Sequence, residues 1–235
     1  MKLRCVILLL LLACFYGIQA KTFIVAVGIA DYPGTETDLR ISDNDARTVA
    51  KVFQATKDAS VTILVNEGAT QSAVLSTMRT AFSEAQNSDA VILYFSGHGI
   101  PGALVCHDGP LTYQRIFQML RDCKAHRKLI FADACFSGKM RTNKQQSDSY
   151  NSQNVMFFLS SRTNEVSSET KYKNSLFTIF LERGLRGGAD KDRNRQITAR
   201  ELFDFVHDGV AEASGYRQHP VMWGKFNNDM TIIKW

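Results

Sequence analysis

Three short stretches of this chain are apolar at every position: Ala90-Val91-Ile92-Leu93-Tyr94-Phe95, Leu129-Ile130-Phe131-Ala132 and Val155-Met156-Phe157-Phe158-Leu159. Successive side chains of a strand point to opposite faces, so a strand with no polar alternation must be covered on both. Segments of helical spacing separate these runs and flank them. Asp45 to Phe53 places Ala46, Val49, Ala50 and Phe53 on one side, and Thr70 to Ala85 carries a stripe of Ala73, Val74, Met78, Ala81 and Phe82. Tyr113 to Leu120 reads as helix, as do Ser175 to Leu185, ended by Gly187-Gly188, and Thr198 to His207. Phe23 to Val27, broken by Gly28, and the β-branched Val61 to Val65 are further strands. Strands alternating with helices predict an α/β domain: a mostly parallel sheet of about six strands between helical layers.

The first twenty residues stand apart. Lys2 and Arg4 precede a leucine-rich run from Cys5 to Phe15, and Gly17-Ile18-Gln19-Ala20 ends in a small residue before the polar switch at Lys21. That layout predicts a secretory signal peptide, residues 1–20, too short and wrongly flanked for a membrane span. Leu11-Leu12-Ala13-Cys14 resembles a lipid-attachment box, which makes anchoring at Cys14 the minor alternative. Residues 21–235 then form one domain in a secreted or periplasmic protein. The formal charge of +5 falls to +3 when Lys2 and Arg4 leave, and no basic patch is interleaved with aromatics, so nucleic acid is not an expected partner. Of five cysteines, Cys106, Cys123 and Cys135 remain. An odd number in an exported chain leaves at least one thiol outside any internal bridge. Either Cys106 pairs with Cys123 or all three are thiols.

Two of the buried strands run into polar sequence unlike their interiors: Ser96-Gly97-His98-Gly99, and Asp133-Ala134-Cys135-Phe136-Ser137-Gly138. Ligands of open parallel sheets bind beyond the carboxyl ends of strands. A cysteine peptidase needs a thiolate, a group to take and return its proton, and donors for the tetrahedral oxyanion. Cys135 is the candidate nucleophile, His98 the candidate base and acid, and the Gly99 and Cys135 N–H groups the candidate oxyanion donors. No acidic residue is evidently placed to orient the imidazole, which predicts a dyad. A single histidine or cysteine in such a place is most often structural; the pairing, each after a buried strand and beside glycine, points to chemistry. Cys106, Cys123, His107, His126, His207 and His219 lack that context.

Tyr94-Phe95-Ser96-Gly97-His98-Gly99 and Asp133-Ala134-Cys135-Phe136-Ser137-Gly138 resemble the two catalytic motifs of caspase-like peptidases, closest to the metacaspase and bacterial branches. The resemblance covers most of residues 22–235 and includes Ser175-Leu176-Phe177-Thr178 and the stretch from Ala189-Asp190 through Leu202. It departs in one respect: Cys135 follows His98 by 37 residues, against about 50 in the caspase signature, so the intervening insert must be short, a small hairpin near Leu104 to Asp108 plus one helix.

Residues two apart on a strand share a face, so Asp133 lies beside Cys135 and Ser96 beside His98. A carboxylate beside the nucleophile favours a cationic side chain before the scissile bond, which predicts protein or peptide substrates cleaved after Arg or Lys. The resemblance agrees: aspartate-specific caspases carry Gln at the position of Asp133 and Arg at that of Phe136. It also implies Ser42 and Asp45 as the opposite wall of the pocket, although Asp45 equally suits a helix start. The polar segment Gly138 to Asn154 reads as a long exposed loop, with Lys139, Arg141 and Lys144 as candidate self-cleavage points.

No cofactor is required by this chemistry. Asp190, Asp192, Asn194 and Glu201 follow the spacing of an EF-hand calcium loop, with Arg195 where glycine is usual. The competing reading is a turn and a capping box, Thr198 with Glu201. A catalytically silent exported binding protein on the same fold, or a legumain- or gingipain-like peptidase, are the alternative functions.

Overall fold

The computed structural model describes residues 20–134, 155–160 and 173–235. Five helices and eleven strands occur among them. The strands of the main sheet are β1 (Thr22–Gly28), β2 (Ala59–Val65), β3 (Ala90–Gly97), β7 (Arg127–Ala134), β8 (Val155–Leu159) and β10 (Val221–Gly224). Their order is β10-β8-β7-β3-β1-β2, all neighbours parallel except β10 with β8.

The chain winds one way from β1 to the edge strand β2, then returns past β1 to build the rest of the sheet from β3 outwards. The reversal falls between β1 and β3, and ligands of open α/β sheets bind at such a switch point. Helices α1 (Ser42–Gln54), α4 (Leu176–Arg183) and α5 (Ala199–Ala213) cover one face, and α2 (Gln71–Ser83) and α3 (Tyr113–Asp122) the other. β3 shows why both layers are needed. Val91, Leu93 and Phe95 pack toward α2 and α3, while Ile92 and Tyr94 pack toward α1 and α4, and every residue of the strand is buried.

The expected short insert between β3 and β7 is a three-stranded antiparallel ribbon, β4 (Gly99–Ile100), β5 (Ala103–Cys106) and β6 (Gly109–Thr112), followed by α3. β9 (Gln196–Thr198) and β11 (Thr231–Lys234) form a separate pair.

Three features differ from the sequence expectations. Ser175 caps α4 from outside by accepting from Thr178 N–H, and the helix passes at Gly184 into one π-turn, through Gly188, with Gly187 at φ 108°. Helix α5 runs beyond His207 to Ala213, because Val206 and Val210 continue the buried stripe of Ala199 and Leu202. Gly209 hides this continuation in the sequence, but it is there for contact: a Cβ would lie 2.3 Å from the Phe180 ring. Strands β9, β10 and β11 are not expected from the sequence; β10, four residues long and directly after Pro220, is an edge strand with partial burial and no periodic signature. Cys106 and Cys123 are both buried free thiols. The leader, Cys135, and the segment Gly138 to Asn154 lie outside the described residues.

Candidate active site

The site grows from the register of β3 against β7. Ser96 is paired with Asp133, and Gly97 with Ala134, at the carboxyl ends of the two strands. Gly28 of β1 stands opposite Ser96 on the other side. Ser160 N–H donates to Ala132 C=O (2.8 Å), extending the row across β8. Ser96, Asp133 and Ser160 are therefore neighbours in one line, each fully buried.

Helix α1 can approach this row because Gly28 has no side chain: a Cβ there would fall 2.2 Å from the Ser42 carbonyl oxygen and 2.7 Å from the Ala46 Cβ. That approach brings Asp45, which has no exposed surface, against the sheet. Ser96 Oγ donates to Asp45 Oδ2 (3.0 Å), while Asn174 Nδ2 (2.9 Å) and Ser175 N–H (3.0 Å) donate to Oδ1. The carboxylate thus ties α1 to β3 and to the start of α4, and it also lies in the first turn of its own helix, as the helix-start reading expects. Ser42 Oγ is buried with no hydrogen-bond partner among the described residues. Beneath the row, Tyr94 Oη and Thr178 Oγ1 share a hydrogen bond of 2.6 Å. Burial pushes the Tyr94 phenol far above its ordinary value, and the charges of Asp45 and Asp133 push it the same way. It stays protonated beside two carboxylates.

His98 follows β3 directly and is partly exposed. Its Nε2 lies 2.7 Å from the Thr37 carbonyl oxygen. A carbonyl only accepts, so Nε2 carries the hydrogen and Nδ1 of the neutral ring keeps its lone pair. The orienting partner that an acidic residue supplies in many such sites is here a main-chain oxygen. No side-chain motif announces it, which is why Thr37 escaped the sequence reading. Tyr32, in the same β1–α1 loop, packs its ring 4.8 Å from the imidazole. Val105 N–H donates to His98 C=O, which makes that pair a hydrogen-bonded rung of the β4–β5 ribbon. The next pair, Gly99 with Leu104, is then a non-hydrogen-bonded rung, and Gly99 N–H is directed away from β5.

These residues gather at the carboxyl ends of β1, β3 and β7, at the switch point, with an oriented imidazole on one side and a buried acidic row on the other. Family comparison then decides the kinship: the model described as caspase domain matches residues 21–230.

The chain belongs to the caspase-domain family.

Membership supports a cysteine-peptidase type of function, acting on proteins or peptides. The crystal structure of protein GSU0716 from Geobacter sulfurreducens superposes on this caspase domain with a TM-score of 0.64, at 18% identity, covering 89% of this chain and 95% of that one. At that identity the likeness shows the fold alone. A search of curated protein sequences finds no match.

Of the residues named from the sequence, the structure gathers Ser42, Asp45, Ser96, His98, Gly99 and Asp133 at this end of the sheet. Cys135 follows Ala134, the end of β7, but lies outside the described residues, as do Lys139, Arg141 and Lys144. Residues the sequence reading missed are Tyr32, Thr37, Ser160 and Asn174. Gln218 is another: it is buried and donates from Nε2 to Ser160 Oγ (2.9 Å). Each acts through a contact between segments distant in the chain.

The acidic loop before α5 is separate. Asp190, Asp192 and Glu201 bring carboxylate oxygens within 4.8 Å of one another. Arg195 adopts φ 63°, the left-handed conformation usual for glycine, so its identity does not prevent the loop from closing. The carboxylates also accept from the loop's own backbone: Asp190 from Asn194 and Arg195, Asp192 from Asn194, Glu201 from Lys191. Thr198 and Glu201 form the expected capping box.

Proposed function

We propose that this caspase domain is an exported cysteine endopeptidase that cleaves after Arg or Lys, with Cys135 as nucleophile and His98 as proton carrier. The observation that carries the reading is the buried row: Asp133 is in register with Ser96 and Asp45 is hydrogen-bonded to Ser96, with Ser96 two residues before His98 and Asp133 two before Cys135 in the sequence. A pocket walled by two carboxylates attracts a guanidinium or ammonium group, and Ser42 Oγ and Ser96 Oγ add polar contacts. An aspartate side chain would meet like charge there.

The chemistry needs only groups of this chain. His98 Nδ1 takes the Cys135 thiol proton, and the thiolate attacks the carbonyl carbon of the scissile bond. Gly99 and Cys135 N–H groups receive the resulting oxyanion. The tetrahedral intermediate collapses, the C–N bond breaks, and Nδ1–H protonates the departing amine. Water, deprotonated by the same nitrogen, then cleaves the thioester and regenerates the thiol. Thr37 C=O holds the ring through both transfers and stabilises the imidazolium.

Export rests on the leader at residues 1–20. Among the described residues no helix is long and apolar enough to cross a membrane. Lys139, Arg141 and Lys144 are substrates of the predicted kind, and self-cleavage there is part of the proposal.

The test is hydrolysis of fluorogenic peptides with Arg, Lys or Asp before the bond, by wild type and Cys135→Ala. Arg and Lys peptides should be cleaved by wild type alone. Preferential hydrolysis of the Asp peptide overturns the specificity. Absence of both hydrolysis and Cys135-dependent iodoacetamide labelling establishes instead a silent binding protein.

A further inference from the structure

Tyr32 occupies a position for which the peptidase reading so far has no use. It is 5% exposed, and it comes from the β1–α1 loop, not from the ribbon that carries His98. Its hydroxyl accepts from His98 N–H (2.9 Å) and donates to Val105 C=O (3.1 Å). In an antiparallel rung both residues exchange N–H···O bonds directly. Here only one is direct, Val105 N–H to His98 C=O (2.9 Å), and the phenol stands inside the other. The ribbon is wedged open at the residue that bears the imidazole.

Two further features fit this wedge. Gly97 admits it, since a Cβ at that position would lie 2.7 Å from the Tyr32 oxygen. The loop around Tyr32 is tied down on both sides: Tyr32 N–H donates to Asp38 Oδ1 (2.9 Å), Leu39 N–H to Ala30 C=O (2.7 Å), and Ala30 and Asp31 N–H to Asn66 Oδ1 (3.0 and 3.2 Å). The same loop supplies Thr37 C=O to the far side of the ring. One segment therefore sets the height of the His98 backbone and the direction of its side chain. Burial pushes the phenol up from its ordinary range, so it remains a neutral donor and acceptor at any working pH.

We propose that Tyr32 is the positioning residue of this site: by holding one rung of the ribbon open through its hydroxyl, it keeps the His98 imidazole in reach of the Thr37 carbonyl with Nδ1 free. Without the hydroxyl, His98 N–H closes on Val105 C=O at the ordinary ladder distance of about 2.9 Å. That movement carries the ring away from Thr37 and releases its tautomer. The inference rests on His98 being the proton carrier, and the experiment separates the two.

Tyr32→Phe keeps the ring against the imidazole and removes only the hydroxyl. In the full chain, the ¹⁵N shifts of labelled histidine, assigned with His98→Ala, should show a single Nε2–H tautomer for wild-type His98 and a mixture for Tyr32→Phe. With an Arg peptide, kcat should fall about tenfold while KM stays within about twofold, the signature of misplacement without lost binding. The thermal midpoint should move by no more than about 3 °C. An unaltered tautomer with unaltered kcat overturns the proposal. So does a lowered midpoint with kcat per folded molecule unchanged, since the role is then structural. If His98→Ala retains full activity, the proton-carrier reading fails; if it is inactive while Tyr32→Phe behaves as wild type, only the role of Tyr32 fails.

Discussion

Asp45 shows how one buried carboxylate serves fold and site together. It receives hydrogen bonds from Ser96 and from the adjacent Asn174 and Ser175, two segments that lie far from it and from each other in the chain. Asp45→Ala strands those donors, and breaking such a buried network should cost about 3 kcal/mol in urea unfolding. Asp45→Asn keeps the shape but not the charge; it should cost less stability and still lower kcat/KM for Arg peptides at least about tenfold. The thiols offer a contrast. Burial pushes Cys106 up from 9.0 to about 12, and Cys123 is raised for the same reason. The thiolate is the reactive form, so iodoacetamide at pH 8 should leave both untouched in the native protein and label them in denaturant, as mass spectrometry would show. The same shift has a consequence for stability. Cys106 holds its proton more tightly folded than unfolded, so its contribution is complete below pH 9 and is lost as pH rises toward 12. Cys106→Ser should flatten that part of the alkaline unfolding curve.

Between elements, close approach is bought with glycine. Gly28 lets α1 lie on β1 with its first turn over the acidic row, and Gly28→Ala would place a Cβ 2.2 Å from a backbone oxygen that no rotamer change relieves. The helix must lift, and a loss of about 2 kcal/mol is expected in chemical denaturation, with weaker binding of Arg substrates as Asp45 retreats. The start of α5 tests a smaller effect. Thr198 Oγ1 accepts from Glu201 N–H while Glu201 Oε2 accepts from Thr198 N–H, so Thr198→Ala should cost about 1 kcal/mol. Because that loop closes through its own hydrogen bonds and the proposed reaction uses no metal, hydrolysis by the mature chain should proceed equally in EDTA and in calcium.

Over the whole molecule, one sheet separates two apolar cores and holds the candidate site where its winding reverses. The proposed self-cleavage at Lys139, Arg141 or Lys144 is tested on the full chain: wild type should yield two fragments by intact mass and Cys135→Ala a single species. Much of this architecture is legible in the residues. Uninterrupted apolar runs such as Ala90 to Phe95 require two covering layers, and helical spacing supplies them. His98 and Cys135 stand out because polar, glycine-flanked sequence interrupts the chain just where such strands end. Local pattern also reaches Asp133 and Ser96, since strand periodicity puts them on the same face as the candidate pair. It does not reach the Thr37 carbonyl, the Tyr32 wedge, or Asn174 and Gln218. A main-chain oxygen has no residue identity, and the other three are ordinary polar side chains whose partners lie 58 to 129 positions away. The sequence by itself determined the layers and the strand ends and singled out the candidate reactive side chains, because those follow from periodicity and composition. Which nitrogen of His98 holds the proton, and what keeps it there, was decided only when the β1–α1 loop folded over the end of β3.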